Sequence, residues 1–357
     1  MSGPRSSGYF RTSYARDVAL LDTRTQTTWT VVSGLAFLVY PFFASPLALD
    51  VANQVLLASI GAVALMLLTG YAGQISLGHA GLLAAGAFTT GILFKEFGAP
   101  FWITLPASAL VGAALGLTFG LPSLRLRGLY LAVSTLAMHF IVIHFGSEYE
   151  TKRGLSTGIT MEPPSLAGWT LTDARGWYFV LLAFAAASAL FALNLLRSRT
   201  GRAWRAIHGR EAVAGALGIS VQRAKLTAFV VSSMLTAVAG SLFAYFRGFV
   251  SVEAFSLFLS IQYVAMVIIG GMGSILGAIL GTVFVTLFPY SIEWLMGLLG
   301  LSDRLSSVVF AVNYSAFGLV MILFLVFEPQ GLVGMWRRLQ AWFLLWPFKK
   351  KPLEASR

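Results

Sequence analysis

The sequence predicts an all-α protein, a polytopic transmembrane helical bundle of about ten spans with glycine-broken helices and an internal repeat. Of its 357 residues, 57% are hydrophobic and only 11% are charged, whereas a soluble domain carries about a quarter charged residues. Long blocks lack charge altogether, and each is near the ~20 residues that cross a bilayer as a helix: Thr30–Leu49, Val51–Thr69, Phe101–Leu121 and Leu305–Phe327. A large soluble helical protein would show polar faces at helical spacing, which these blocks lack.

The basic residues predict how the chain is oriented. The net charge is +11, and the lysines and arginines concentrate in four places: the leader, a turn at Arg125 and Arg127, the segment Arg197–Lys225, and the tail from Arg337 onward. Alternating crossings put all four on one side, which is the positive-inside bias of membrane proteins. The basic excess therefore orients the chain and calls for no nucleic-acid partner.

The apolar blocks and the basic segments together divide the chain into a cytoplasmic leader (1–28), a transmembrane domain (29–327) and a basic cytoplasmic tail (328–357). The first apolar block begins too far from Met1 for a secretory signal. The loop 148–175 falls outside the cell, and the loop 198–225 falls inside. The predicted helices are 29–49, 51–70, 78–97, 100–121, 128–147, 176–197, 226–246, 257–271, 274–297 and 305–327.

Two glycine-rich breaks interrupt this pattern, at 70–81 and at 270–281. An offset of 200 aligns three glycines of the first with three of the second, which suggests a parallel internal repeat. Corresponding glycine-interrupted segments in two halves point to a translocation site, whereas small residues at this spacing also serve close helix packing. Both interpretations stay open. The residues assigned to a pathway are Gln74, Ser76, His79, Gly270, Gly271 and Gly273.

The loop 198–225 is larger than a turn requires. Gly201–His208 predicts a short basic amphipathic helix, and Glu211–Leu217 predicts a second one that Gly218 ends. Such an elbow offers a surface that another protein could grip. It is also consistent with a simple anchor that places Trp204 at the lipid interface.

Three stretches of the sequence are similar to the permease subunits of branched-chain amino acid ABC importers, of the LivM type. They are GYAGQISLGHAGLLAAGAF at 70–88, LPSLRLRGLYLAVSTLA at 121–137, and a third that begins GRAWRAIHGREAVAGALGIS at 201 and ends VAMVIIGGMGSILGAILG at 281. Together they cover most of 70–285 in family order.

This resemblance implies a division of labour among several subunits. A second related permease completes the pathway, two cytoplasmic ABC ATPase subunits bind ATP and Mg and drive it, and a periplasmic or lipid-anchored binding protein delivers the ligand. The chain itself then needs no cofactor and no metal, is not an enzyme, and contacts membrane lipid in the bacterial inner membrane. The segment around 211–218 matches the family's coupling loop. The residues assigned to ATPase coupling are Arg202, Arg205, Glu211, Ala212, Gly215 and Gly218.

The chain departs from the family pattern in one loop. Lys152 and Arg153 stand where small residues are expected, in a loop that faces the binding protein. Branched-chain amino acids are the expected cargo, with urea or short-chain amides as the alternative. An ion-coupled carrier would need acidic residues in mid-membrane, and a membrane enzyme would need a catalytic constellation. The sequence suggests neither.

Overall fold

The structure is a computed structural model that describes residues 24–124, 128–155, 158–166, 169–298 and 309–345. Most of the predicted leader, the turn at Arg125 and Arg127, the first residues of the tenth predicted helix and the end of the tail lie outside these residues. The described chain is almost entirely helical. Its helices are α1 (Arg24–Phe43), α2 (Pro46–Leu65), α3 (His79–Phe97), α4 (Phe101–Ser123), α5 (Leu129–Lys152), α6 (Ala174–Arg197), α7 (Arg199–Gly209), α8 (Glu211–Ala216), α9 (Val221–Arg247), α10 (Leu257–Gly270), α11 (Ile275–Leu298), α12 (Val309–Phe327) and α13 (Gly331–Leu345).

The predicted boundary between the first two helices is wrong. The predicted helices 29–49 and 51–70 meet near Asp50, but α1 ends at Phe43 and α2 begins at Pro46. Proline is well suited to the first turn of a helix because its missing N–H needs no partner there. Ser45 caps this start, since its side chain accepts a hydrogen bond from the backbone N–H of Ala48 at 3.3 Å. The chain therefore turns several residues earlier than the loss of hydrophobicity suggests.

The long helix α9 lies at the centre of the bundle, packed along α3, α4 and α2. Glycines bring the backbones together: a Cβ on Gly86 would overlap the carbonyl of Ala237, and a Cβ on Gly240 would overlap the carbonyl of Leu83. Small residues are the usual means of close helix packing in membranes, where apolar burial between helices gains little. We call this α3–α4–α9 contact the central seam.

Hydrogen bonds made by hydroxyl groups hold the helices of the central seam together. Thr90 Oγ1 donates to Ser241 Oγ at 2.6 Å and pairs with Ser108 Oγ at 2.8 Å. Ser108 Oγ lies 3.0 Å from the Gly86 carbonyl, and Thr104 Oγ1 lies 2.8 Å from the Tyr245 hydroxyl. These hydroxyls are buried, and each has a partner. A satisfied polar network of this kind holds three helices in one register.

Six of the described helices are long and apolar enough to cross a membrane, and a seventh span results if α12 and α13, which are bent by 49° to each other, are taken as one. Many large apolar side chains on the outer faces of α1, α4, α5 and α12 are exposed. The chain is therefore a multi-pass membrane protein. α1 and α10 are shorter apolar helices, so the count of ten crossings stays a prediction.

The bundle has two different ends. At the loop end, strand β1 (Ile159–Thr160) pairs antiparallel with β4 (Phe249–Val250), and Glu150 accepts a hydrogen bond from the N–H of Val252 at 3.1 Å. A second two-residue pair, β2 (Ser165–Leu166) with β3 (Trp169–Thr170), lies in the same connection. At the opposite end, which we call the elbow end, lie both glycine breaks, α7, α8 and the start of α13. The two predicted loops thus lie at opposite ends of the bundle.

Candidate functional site

The first glycine break ends a distorted helix. α2 continues into a π-helical turn, Met66–Tyr71, and the chain then runs without regular structure to His79. π-helical turns are rare and often occur at functional sites. Gly73 has φ +69°, and the equivalent position of the second break, Gly273, has φ +80°. The shared left-handed conformation at aligned positions supports the internal repeat.

The two breaks contact each other directly. The N–H of Gly273 points at the sulfur of Met66 at 3.3 Å, and a Cβ on Gly70 would lie 2.9 Å from the Gly273 nitrogen. Gly270 also packs against Gly277, where a Cβ would overlap the carbonyl oxygen. Close packing is therefore one real role of these glycines. The positive φ of Gly73, Gly271 and Gly273 is a second requirement, because side chains rarely adopt that conformation.

The polar residues of the first break all face the protein interior. Gln74 is 2% exposed, and its Nε2 donates to the Lys225 carbonyl at 3.2 Å. Ser76 is buried, and its Oγ accepts from the N–H of Gly78 at 3.3 Å. Met66 and Gly70, at the start of the break, contact Gly273, and Gln74 contacts the start of α9. His79, at the other end of the break, packs against Tyr263 of α10.

His79 differs from its neighbours because its polar atoms lack hydrogen bonds. The residue is 1% exposed, and neither ring nitrogen makes a hydrogen bond of good geometry within the described part of the chain. The ring lies against Tyr263, with centroids 4.8 Å apart, and the backbone of Gly61 is the polar group that interacts with it. An unsatisfied buried imidazole is costly. Such a group is typical of a site that meets its polar partner in another state or with a ligand.

The elbow consists of the two predicted short helices, α7 and α8. Gly218, with φ +83°, ends the second one as predicted. The alternative that Trp204 lies at the lipid interface is wrong. Trp204 is fully buried, and its Nε1 donates to the Ala224 carbonyl at 2.9 Å. The apolar face of α7, with Trp204 and Ile207, packs on the protein because the start of α9 supplies both an apolar surface and a hydrogen-bond acceptor.

Two of the predicted coupling residues hold the elbow to the preceding helix. Arg202 donates to the Arg197 carbonyl at 2.8 Å, and Arg205 donates to the Leu196 carbonyl at 2.7 Å. Carbonyls at a helix C-terminus lack helical partners, and guanidinium groups satisfy them well. These two arginines therefore fix the angle between α6 and α7.

Glu211 links α8 to the interior. Its Oε1 lies 2.5 Å from Nζ of Lys225, whose side chain is only 8% exposed. The backbone carbonyl of the same lysine accepts the hydrogen bond from Gln74. His208 adds a second contact, because a Cβ on Gly73 would lie 2.9 Å from its Nδ1. The elbow thus contacts the first glycine break directly through His208 and indirectly through Lys225 of α9.

The outer side of α8 presents small and apolar residues. Leu217 is 77% exposed and Val213 is 51% exposed. Ala212, Gly215 and Gly218 are exposed beside them. This tip is the part of the elbow that faces away from the bundle.

Comparison with known proteins decides the family. A family model described as "Branched-chain amino acid transport system / permease component" matches residues 47–327. The chain belongs to this permease family. It is 35% identical over 323 residues to the high-affinity branched-chain amino acid transport system permease protein LivM of Salmonella typhimurium, covering 84% of this chain and 72% of that protein.

Two proteins of Methanocaldococcus jannaschii are also similar to the permease. Its probable branched-chain amino acid transport permease protein LivM is 27% identical over 259 residues, covering 70% of this chain and 71% of that protein. Its probable LivH is 26% identical over 273 residues, covering 71% and 82%. No solved structure matches the permease significantly.

At the loop end of the permease, the two unexpected basic residues form ion pairs. Arg153 lies 2.7 Å from Glu96 at the end of α3, and Lys152 lies 2.7 Å from Glu148 one turn earlier. Tyr149 also donates to Glu96 at 2.7 Å. The departure from the family pattern therefore comes with acidic partners, Glu96 on the neighbouring helix α3 and Glu148 on α5 itself.

Sequence reasoning missed two parts of the permease site. In the sequence, Lys225 is only the end of a basic segment, because the sequence does not reveal that its ammonium is buried. The tail was expected to be a basic extension, yet it includes α13. This helix begins at Gly331, where a Cβ would lie 2.5 Å from the Gly271 nitrogen in the second break. The spacing of Met335, Trp336, Leu339 and Trp342 was a usable helical signal.

Within the described residues of the permease, no three His, Asp or Glu side chains are grouped so as to hold a metal ion. The six coupling residues lie in the elbow, and the six pathway residues lie in the two breaks, which contact each other at Gly70 and Gly273. Their roles in transport stay predictions.

Proposed function

We propose that this permease is the membrane-spanning subunit of an ATP-driven importer of branched-chain amino acids, in the bacterial inner membrane with both termini in the cytoplasm. One observation carries the proposal: the charged elbow is held to a glycine break that contacts its counterpart from the second half. A force on the elbow therefore reaches the place where two broken helices meet. Broken helices at the contact between repeats are the usual site of substrate passage in transporters.

Two cytoplasmic ABC ATPase subunits are the proposed source of that force. The tip of α8 suits docking, since Leu217 and Val213 project from an otherwise charged elbow. The sequence contains no G-x-x-x-x-G-K-[ST] phosphate loop, the motif that cradles nucleotide phosphates. ATP and Mg would then bind to the partner, and the permease would perform no catalysis itself.

A second permease related to this one is the proposed partner within the membrane. The similarity of the chain to both LivM and LivH of one organism supports such a pair. The relatives also guide the choice of cargo, because their names specify branched-chain amino acids; urea and short-chain amides are not favoured. A periplasmic or lipid-anchored binding protein would deliver the cargo at the loop end, near Arg153 and Glu96.

Uptake of radiolabelled leucine tests the proposal. Cells that lack only this gene should lose high-affinity uptake, and the cloned gene should restore it. In the parent strain, excess unlabelled valine should compete, whereas urea and acetamide should not. Unchanged leucine uptake in the deletion strain would remove branched-chain amino acids as the cargo.

A second arm separates ATP-driven transport from an ion-coupled carrier. Uptake should stop when the cognate ATPase genes are deleted and should survive a protonophore as long as cellular ATP is maintained. Uptake that persists without the ATPase would instead identify a secondary carrier.

A further inference from the structure

Lys225 occupies an unusual position between the elbow and the first glycine break. It lies near the start of α9, with its side chain 8% exposed, and its ammonium contacts the Glu211 carboxylate at 2.5 Å. Its backbone carbonyl accepts the hydrogen bond from Gln74 at 3.2 Å. One residue therefore contacts α8 through its side chain and the glycine break through its backbone.

The contacts continue on both sides of this residue. Toward the break, Thr69 Oγ1 donates to the Gln74 carbonyl at 3.0 Å, so that Gln74 is tied to the last turns before the break. Toward the elbow, Trp204 Nε1 donates to the Ala224 carbonyl at 2.9 Å and to Thr227 Oγ1 at 3.3 Å. Both short helices of the elbow thus hold the same two turns of α9.

The burial of Lys225 makes this connection stiff. A buried ammonium that loses its carboxylate partner is left uncompensated in a poorly hydrated place, and such a loss is strongly unfavourable. Glu211 is 33% exposed and can regain water, whereas Lys225 cannot without moving α9. If α8 is displaced, the lower-energy response is for Lys225 and the attached break to follow.

We propose that Lys225 is the positioning residue that transmits displacement of the elbow to the first glycine break, through its ion pair with Glu211 and its backbone hydrogen bond from Gln74. The inference rests on the proposed function and refines it. It assigns a transmitting role to a residue that need not contact either the cargo or the ATPase.

The test compares Lys225→Met with a matched control. Lys225→Arg keeps the positive charge. The full importer is purified with each variant and reconstituted, and leucine transported per ATP hydrolysed is measured, with size-exclusion chromatography as the check on assembly.

We expect Lys225→Met to assemble and hydrolyse ATP while its transport per ATP falls by about tenfold, within the range of coupling between contacting residues. Lys225→Arg should keep most of the coupling. Normal transport per ATP in Lys225→Met overturns the proposal, and so does a parallel loss of assembly and ATPase activity, which would make the pair purely structural.

A measurement that is independent of cargo keeps this inference separate from the proposed function. The chain has no cysteine, so Ile75→Cys places a single thiol in the first break, where Ile75 is 47% exposed. Its maleimide labelling rate should change when ATP binds the complex, and Lys225→Met should abolish that change. If leucine is not transported but this dependence holds, only the cargo is wrong. If the labelling rate responds to ATP equally in Lys225→Met and in the unmodified chain, Lys225 does not transmit the displacement and the proposal is wrong.

Discussion

Glycine serves different purposes in the central seam and in the paired glycine breaks. In the seam, Gly86 and Gly240 lie within continuous helices, and the buried hydroxyls of Thr90, Ser108 and Ser241 are hydrogen-bonded. In the breaks, Gly73 and Gly273 have positive φ, and the buried ring nitrogens of His79 make no hydrogen bond of good geometry within the described part of the chain. A satisfied, regular contact is stable in one arrangement, whereas strained backbone and unsatisfied polar groups persist mainly where function requires them.

From this comparison, we expect the seam to act as a scaffold and the breaks to move during transport. The seam holds α3, α4 and α9 together, and the breaks lie at the elbow end, where force would enter. Changes in the seam should therefore alter stability, and changes in the breaks should alter transport by protein that is still assembled.

The largest effect is expected from overfilling the seam. Gly240→Val places side-chain atoms where the Leu83 carbonyl lies, and neither helix can move away without breaking the hydroxyl network. We expect a loss of about 3 kcal/mol in unfolding free energy, seen as a lower thermal midpoint and little monodisperse protein in size-exclusion chromatography. Gly318→Val is the control, because a Cβ there meets nothing within 4 Å. Equal stability of the two variants would contradict the close packing of the seam.

The next effect is expected at the second break. Gly273→Ala meets only ordinary contacts, at 3.6 Å from the Gly70 carbonyl, so its cost comes from the backbone at φ +80°. Gly98→Ala carries a similar conformational cost at φ +59°, but at the loop end of α3. Each should lose about 1–2 kcal/mol of stability.

Uptake should distinguish these two alanine variants. In Gly273→Ala, the backbone strain should disfavour the conformation that the second break adopts here. Leucine uptake per assembled permease should therefore fall by about tenfold, because about 1.4 kcal/mol changes a conformational equilibrium by a factor of ten. It should be unchanged in Gly98→Ala. Equal uptake by both would mean that the second break is only a packing device.

The smallest effect on stability compares two buried polar groups. Thr90→Val leaves Ser108 and Ser241 each without one partner and should cost about 1 kcal/mol with normal uptake per assembled protein. His79→Leu removes a ring whose nitrogens make no hydrogen bond of good geometry within the described residues, so the thermal midpoint should stay the same or rise. Uptake by His79→Leu should nevertheless fall if His79 serves the pathway. Uptake equal to that of the unmodified protein would make His79 a packing residue.

Much of the elbow end could be predicted from local sequence. Gly218 ends α8, and the two short helices follow from amphipathic spacing and a glycine stop, which are properties of a few neighbouring residues. The position of Trp204 could not be predicted this way. Its spacing suits a lipid interface as well as a protein surface, and only the approach of α9 decides between them.

The sequence by itself determined that the chain is a multi-pass helical membrane protein, because long uncharged, apolar blocks are stable as helices within a bilayer and not in water. It also located the two glycine breaks and the elbow. The tertiary structure alone decided that the two breaks touch, that α13 packs on the second one, and that Lys225 joins Glu211 to Gln74. These contacts join residues up to some 200 positions apart, and local hydrophobicity carries no information about which distant helices will meet.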